Sequence, residues 1–346
     1  MLTATLGIFA YNHAPFVREA LLAAFHQSRP PERIIITDDA STDVTAQVIE
    51  SVLQDYSGPS AVTFVRNPKN LGLLANINRR MEQNHSDVFV GAWGDDVSLP
   101  NRVADTMRAF ESEDGSAMSV FGNGILVDEH GSQLRPFYYQ PPAAESLSVA
   151  CGSGAAGFAL LGAAHAWRAK VFEVFGPLPE ELSFDDVVIP FRSALIGKVV
   201  YVDKYLIKYR MHGGNIYNSS IRSTSISDWR KGQKLHTSMN LIATECKLHD
   251  IETASALQVC PKETLAVARR NTGELLEYLR LFARALNSSR LSAVLAVRSL
   301  TRRRPGVKQV LVWLLTFGVP ELYMPYMRFR AARVDAIGRK LLQHAG

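Results

Sequence analysis

The first 112 residues repeat one unit four times: a short apolar run rich in β-branched residues, then a stretch whose apolar positions recur at helical spacing. "LTATLGIFA" leads to "FVREALLAAFHQ", "RIIITD" to "VTAQVIESVLQDY", "AVTFVR" to "LLANINRRMEQN" and "DVFVGAW" to "PNRVADTMRAFES". Parallel strands need long crossovers, and helices in that role cover the faces of the sheet they cross. The chain is therefore expected to be α/β, with a Rossmann-like, mostly parallel sheet flanked by helices. Ser41, Thr42 and Asp43 supply N-cap oxygens for the second helix, and Pro100 suits the first turn of the fourth.

Two acidic pairs close strands: Asp38-Asp39 in "IIITDDASTD" and Asp95-Asp96 in "VFVGAWGDDVSLP". Together with Ala10, Tyr11 and Asn12 they fall at the carboxyl ends of the strands, where open α/β sheets bind ligands. A third pair, Asp185-Asp186, lies in "ELSFDDVVIP", and His212 lies in "KYRMHGGN". A nucleotide asks such a crevice for a carboxylate to accept from a base N–H or ribose hydroxyl, an aromatic ring to cover the base, and a divalent ion to neutralise the diphosphate. Asp39, Tyr11 and Asp96 have that chemistry. Gathered acids would repel a diphosphate unless a cation intervened, and oxygen ligands favour Mg²⁺ or Mn²⁺ over zinc. Each pair taken alone also has a structural reading: Asp38-Asp39 as a strand end with a helix cap, Asp95-Asp96 as turn residues, Asp185-Asp186 as a cap, and His212 as an ordinary loop histidine.

The net charge of +5 is unevenly spread. Residues 1–224 carry 18 Lys/Arg against 24 Asp/Glu, net −6, whereas residues 225–346 carry 20 against 9, net +11. Two parts are expected on this basis: a catalytic domain over 1–224, and a basic α-helical region over 225–346 that meets a membrane surface, an acceptor or a second copy of the chain. The acidic first part argues against nucleic acid as a ligand, and the basic tail suits an anionic membrane surface or an acidic partner. "MLTATLGIFAYNH" has no basic leader and reads as a first strand, so a cytoplasmic location is expected, with peripheral association at the inner face of the membrane. Cys151, Cys246 and Cys260 are scattered, and Cys246, His249 and Cys260 lack the fourth ligand of a zinc site. Within the tail, Arg302-Arg303-Arg304 is followed by "VKQVLVWLLTFGVP", a run too short for a confident membrane span. It reads as a core helix, a homo-oligomer contact or an interfacial anchor, the last favoured by Trp313 and Phe317.

Five blocks, "AYNHAPFVREALLAAFHQS", "IIITDDASTD", "NPKNLGLLANIN", "GDDVSLPNRV" and "DDVVIPFRSALIGKVVYVDKYLIKYRMHGGN", resemble in order those of glycosyltransferase family 2, the inverting enzymes of the GT-A fold. The resemblance covers roughly residues 3 to 218. It implies that Ala10, Tyr11 and Asn12 line the donor nucleotide, that Asp39 holds the base, and that Gly72 and Asn76 form the donor-side loop and helix start. It further implies Asp95 on the ribose or sugar, Asp96 on the metal under the diphosphate, Asp186 as catalytic base, and His212 as a further metal or phosphate contact. Trp93 stands where many members carry the first acid of an Asp-x-Asp-Asp run, and Asp185 replaces the usual Glu.

The residues support the same chemistry independently. Displacement at an anomeric carbon needs a carboxylate to take the acceptor's proton and a cation to absorb the charge of the leaving group. Burial beside Asp185 could raise the pKa of Asp186 toward working pH. The expected reaction is transfer of a sugar from a nucleoside-diphosphate sugar to a glycan or lipid-linked glycan. The rivals are a nucleotidyltransferase, whose usual basic Gly-rich loop is missing from "AYNHAPF", and an inactive nucleotide-sugar-binding scaffold. "CGSGAAG", with Gly152, Gly154 and Gly157, satisfies GxGxxG, but no convincing strand precedes it; a loop beside the acceptor site fits it better. Asp185, His165, Trp167, Tyr138 and Tyr139 are candidate acceptor contacts, with packing an equal alternative for His165 and Trp167.

Overall fold

β1 (Ala4–Ala10) is buried along its whole length, which is why its sequence runs apolar without alternation: both faces are covered. A computed structural model describes residues 1–112, 114–137, 161–182, 185–213 and 226–287. The four expected repeats are present as β1, α1 (Val17–Phe25), β2 (Arg33–Asp38), α2 (Thr45–Gln54), β3 (Ala61–Arg66), α3 (Leu73–Glu82), β4 (Val88–Trp93) and α4 (Arg102–Ser112). In α1 the buried residues are Val17, Ala20, Leu21 and Ala24, the three-and-four spacing of one helical face. That face joins Ile8, Ile34, Ile36, Val90, Val103 and Phe110 in the main core.

β1 to β4 are parallel, with Ile8 level with Ile36 on one side and Ala92 on the other. Their spatial order is β3-β2-β1-β4, so the sequence of strands reverses at β1. The carboxyl ends of β1 and β4 therefore lie side by side, at the edge where open α/β sheets bind ligands.

Beyond β4 the sheet becomes mixed. β5 (Val97–Ser98), β6 (Ala117–Val127), β7 (Gln133–Phe137), β8 (His165–Arg168) and β9 (Lys198–Arg210) complete it in the order β3-β2-β1-β4-β8-β6-β9-β5, with β7 on β6. β8 runs antiparallel to both β4 and β6, while β6 and β9 are parallel. A turn of 3₁₀ helix, Gly162–Ala164, precedes β8, and α5 (Lys170–Phe175) and α6 (Ile189–Ile196) precede β9. Two long helices, α7 (Ile226–Ala256) and α8 (Lys262–Asn287), follow.

The chain forms two compact units. The first is Met1–Met211 with Cys246–Asn271, and the second is His212–Glu245 with Thr272–Gly346. The last part of α7, from Cys246 to Ala256, thus packs as part of the sheet-bearing unit. In the second unit, Arg280 Nη2 bonds Glu245 Oε1 at 3.0 Å, and Leu276, Leu279 and Leu286 are buried. No helix among the described residues is long and apolar enough to cross a membrane. Tyr138, Tyr139, Cys151, the "CGSGAAG" run and the segment with Trp313 and Phe317 lie outside the described residues.

Candidate active site

The crevice begins with backbone geometry. Asn12, just past β1, and Ala40, just past β2, hold φ of 56° and 58°, a left-handed conformation unusual for residues other than glycine. Cross-links hold them there. Asp39 N donates to Ala10 O (2.9 Å), Asn12 N to Ser41 Oγ (2.9 Å) and Thr42 N to Asn12 Oδ1 (2.9 Å). Asp43 accepts from Thr45 N (2.9 Å) and Ala14 N (3.2 Å), tying the start of α2 to the loop after β1. Tyr11 sits at this edge with 41% of its surface exposed, so its ring is open to a ligand.

Asp38 and Asp39 separate into different tasks. Asp38 is fully buried and meets Arg66 Nε at 3.3 Å and Ser41 N at 3.2 Å, so it serves the framework. Asp39 organises the loop between β3 and α3: its Oδ1 accepts from Asn67 Nδ2 and Leu71 N, and its Oδ2 from Gly72 N, each at 2.9 Å. A carboxylate has about four acceptor positions. Three are filled, which leaves one on Oδ2 for an N–H from outside. Gly72 has φ 82°, which explains glycine there, and Asn76 is buried, donating to Gly72 O at 3.2 Å and accepting from Asn67.

Asp95 and Asp96 sit between β4 and β5, on the other side of β1. His13 Nε2 approaches Asp95 Oδ2 at 3.8 Å, which places the first loop against the second. The fit requires glycine at 94, since a Cβ there would lie 2.8 Å from His13 Nδ1 and 2.9 Å from Ala10 Cβ. Asp96 is buried, and its Oδ1 accepts from Arg210 N at 2.8 Å while Oδ2 accepts no hydrogen bond. Burial, and next the charge of Asp95, push the Asp96 carboxyl well above the ordinary carboxylate range; Arg210 and Arg102 pull the other way.

Two arginines frame this pair. Arg210, at the end of β9, donates Nε to Asp95 O (3.0 Å) and Nη2 to Glu19 Oε2 (2.5 Å), with its guanidinium 5.1 Å from the centroid of Phe16. Arg102, at the start of α4, donates to Ser98 Oγ (3.0 Å), Gly91 O and Ala163 O (2.9 Å). Burial lowers its pKa to about 10, with Asp96 opposing, so it stays cationic at neutral pH.

The third acidic pair reaches the same place through the turn before β8. A Cβ on Gly162 would lie 3.1 Å from Asp186 Cβ and 3.3 Å from its Oδ2, and the next residue, Ala163, is the one whose carbonyl Arg102 holds. A short path therefore links Asp186 to Gly162, Ala163, Arg102 and Asp96. Asp185 is 3% exposed, whereas Asp186 keeps part of its surface accessible. Burial, then the charge of Asp186, raises Asp185 to about 8; burial raises Asp186 to about 6, against its own backbone hydrogen bond and the cation of Lys247.

The remaining candidates fall elsewhere. Trp167 is fully buried, stacked on Phe89 with centroids 5.3 Å apart and bonded through Nε1 to Met81 Sδ at 3.4 Å. His165 is also fully buried, and burial lowers its pKa to about 3, followed by the repulsion of Arg102. Neither offers surface to a sugar; β8 lies inside the sheet, and both side chains fill the core. Neither ring nitrogen of His165 has a hydrogen-bond partner. His212 belongs to the second compact unit, in the segment that follows β9.

Residues 5–158 match the family model described as Glycosyl transferase family 2. The chain carries a family 2 glycosyltransferase domain. An uncharacterized glycosyltransferase of Nostoc sp. is 25% identical over 223 residues, spanning 62% of this chain and 66% of that protein. An uncharacterized glycosyltransferase of Rickettsia felis is 25% identical over 206 residues, spanning 58% of this chain and 33% of its own length. The chain thus spans less than two thirds of these relatives. Among solved structures, a mannosyltransferase from Pyrobaculum calidifontis in complex with GDP-Man and Mn²⁺ superposes with a TM-score of 0.53 at 16% identity, over 98% of this chain and 86% of that one. At that identity the likeness speaks for the fold alone, and the fold is GT-A.

The family 2 match ends before Asp185, so the place of the third acidic pair rests on geometry. Sequence reading passed over Arg102, Arg210, Gly162, Lys247 and His13. Arg210 stood inside the "KYRMHGGN" run, and its adjacency to His212 was the one available pointer. His13, next to Asn12, and Arg102, six residues past Asp96, lay within quoted blocks in the same way, whereas Gly162 and Lys247 had no such pointer, because what they meet is far away in sequence.

Proposed function

We propose that the chain is a metal-dependent inverting glycosyltransferase that moves a sugar from a nucleoside-diphosphate sugar to a hydroxyl of a glycan or lipid-linked glycan. The observation that carries this is the path from Asp186 through Gly162, Ala163 and Arg102 to Asp96. A proton acceptor and a cation-binding carboxylate share one neighbourhood.

Donor binding falls to the first two loops. Tyr11 covers the base, the open position on Asp39 accepts a base N–H, and the loop at Gly72 lies under the nucleoside. Asp96 and Asp95 suit Mg²⁺ or Mn²⁺: the set is all oxygen, and Asp96 Oδ2 is a buried oxygen without a partner. Among the described residues no three His, Cys, Asp or Glu side chains are grouped to hold an ion unaided, but a cation bound through one or two carboxylates and the substrate's phosphates needs no such group. When bound, the ion neutralises charge on the diphosphate.

Asp186 takes the proton from the acceptor hydroxyl. The acceptor oxygen forms its bond to the anomeric carbon as the bond from that carbon to the diphosphate breaks, and one displacement inverts the centre. With a pKa of about 6, Asp186 is ionised at pH 7 yet basic enough to work. The charge of +11 over residues 225–346 supports attachment to an anionic membrane surface, where a lipid-linked acceptor would be found.

The test is Asp186→Asn, with binding of UDP- and GDP-sugars measured by calorimetry in Mn²⁺ and transfer measured separately. Donor affinity is expected to stay within about twofold and transfer to fall by about 10²–10⁴. Transfer at a near wild-type rate would remove Asp186 from its role.

A further inference from the structure

Arg210 holds the peptide bond that joins the two acids of the second pair. β9 lies between β6 and β5, and at its end Arg210 is level with Val127 of β6 and 2% exposed. Its side chain donates from Nε to Asp95 O at 3.0 Å, while the N–H at the other end of the same peptide unit, that of Asp96, donates to Trp93 O at 3.2 Å. A peptide unit is planar, so the unit between the two acids is pinned on both edges, and the directions in which their side chains leave follow from it. The backbone N–H of Arg210 separately donates to Asp96 Oδ1 at 2.8 Å. The rest of the guanidinium is anchored on other elements: Nη1 donates to Glu129 O at 3.1 Å in the turn between β6 and β7, Nη2 to Glu19 Oε2 at 2.5 Å on α1, and the centroid of the Phe16 ring lies 5.1 Å away. Guanidinium donors form a rigid planar fork, so these anchors set where Nε stands.

We propose that Arg210 is a positioning residue that presets Asp95 and Asp96 for a divalent cation and the diphosphate bound with it, by fixing the peptide plane between them from α1 and the β6–β7 turn. A side-chain substitution at 210 leaves the backbone N–H on Asp96 in place and takes away the grip on Asp95 O. Partners that hold a metal ligand from behind commonly govern 10–100-fold of metal affinity, roughly what is at stake here. The inference rests on the reading of Asp96 as a metal ligand, whereas the hold on the loop does not.

The experiment compares Arg210→Lys, Glu19→Gln and Asp96→Asn with the wild type in the full chain. Mn²⁺ binding is followed by electron paramagnetic resonance with UDP or GDP present, whichever raises the wild-type Tm more, and nucleotide binding in EDTA by calorimetry, all below the Tm of each variant. Arg210→Lys keeps the charge and gives up the fork. It is expected to weaken Mn²⁺ binding by about tenfold or more while nucleotide affinity in EDTA stays within about twofold. Glu19→Gln breaks the ion pair and leaves Nε on Asp95 O, so Mn²⁺ affinity is expected to stay within about twofold. A residue that served the framework alone would lower Tm and leave the Mn²⁺ affinity of the folded protein as it was; that result for Arg210→Lys, beside an Asp96→Asn that no longer takes up Mn²⁺, refutes the positioning role alone. Asp96→Asn with wild-type Mn²⁺ affinity would show instead that the metal reading had failed. Equal losses in Arg210→Lys and Glu19→Gln would place the effect in the ion pair with α1 and overturn the grip on the peptide plane. If Arg210→Lys does not fold, Arg210→Gln takes its place with the same expectation, and failure of both to fold would overturn the proposal by making Arg210 part of the framework.

Discussion

Arg192→Ala offers the clearest energetic test of how the C-terminal segment joins the domain. In the native protein Arg192 is 2% exposed; its Nε bonds Asp250 Oδ2 at 2.9 Å, Nη1 bonds Gly176 O at 2.8 Å and Nη2 bonds Pro177 O at 3.2 Å. Asp250 is fully buried, and its Oδ1 already lacks a partner. Removing the guanidinium strands that carboxylate, and removing one partner of a buried pair costs roughly 3–5 kcal/mol. About 4 kcal/mol is expected, equivalent to about 10 °C in Tm for a domain of this size. Burial raises the pKa of Asp250 even with Arg192 present. A group with a raised folded pKa favours folding at low pH and loses that contribution as pH rises toward the folded value. Without Arg192 the folded value climbs further, so the deficit is expected to be smaller at pH 5 than at pH 8. Urea unfolding followed by circular dichroism at both pH values, with Arg192→Leu/Asp250→Leu as the control, measures it. The double variant should recover most of the loss, because no charge is left buried. A deficit under about 1 kcal/mol at pH 8, or a double variant no better than the single, refutes the reasoning.

Three further outcomes follow from the same geometry. Asp39→Ala releases Asn67, Leu71 N and Gly72 N together; about 3 kcal/mol of stability and at least about tenfold in donor affinity should be lost, read by Tm and calorimetry. Gly162→Ala places a methyl group 3.1 Å from Asp186 Cβ, so transfer should fall about tenfold with donor affinity unchanged, because the base shifts by tenths of an ångström. The rate profile should fall about tenfold per pH unit below about pH 6 and level off above it; a flat profile from pH 5 to 8 would exclude a base with the pKa of Asp186.

The chain's order of apolar runs was enough to determine β1 to β4 and their helices, because hydrophobic period and crossover length are local properties. The same locality exposed Asp39 and Asp96 at strand ends. It also set a trap at β8, where "HAW" offers an imidazole and an indole that look suited to a sugar but lie in the core. Their burial follows from β8 inserting between β4 and β6, a pairing between residues far apart in sequence.

What the sequence determined alone was therefore the parallel half of the sheet and the identity of its acidic edge. Tertiary structure decided how the acids are used: Asp39 mostly bound by the loop it holds, Asp96 met by Arg210 from β9, and Asp186 facing Gly162. Periodicity records which face of an element seeks the core. The charge, desolvation and reach of a side chain depend on whatever the rest of the chain brings beside it, and no local pattern encodes that.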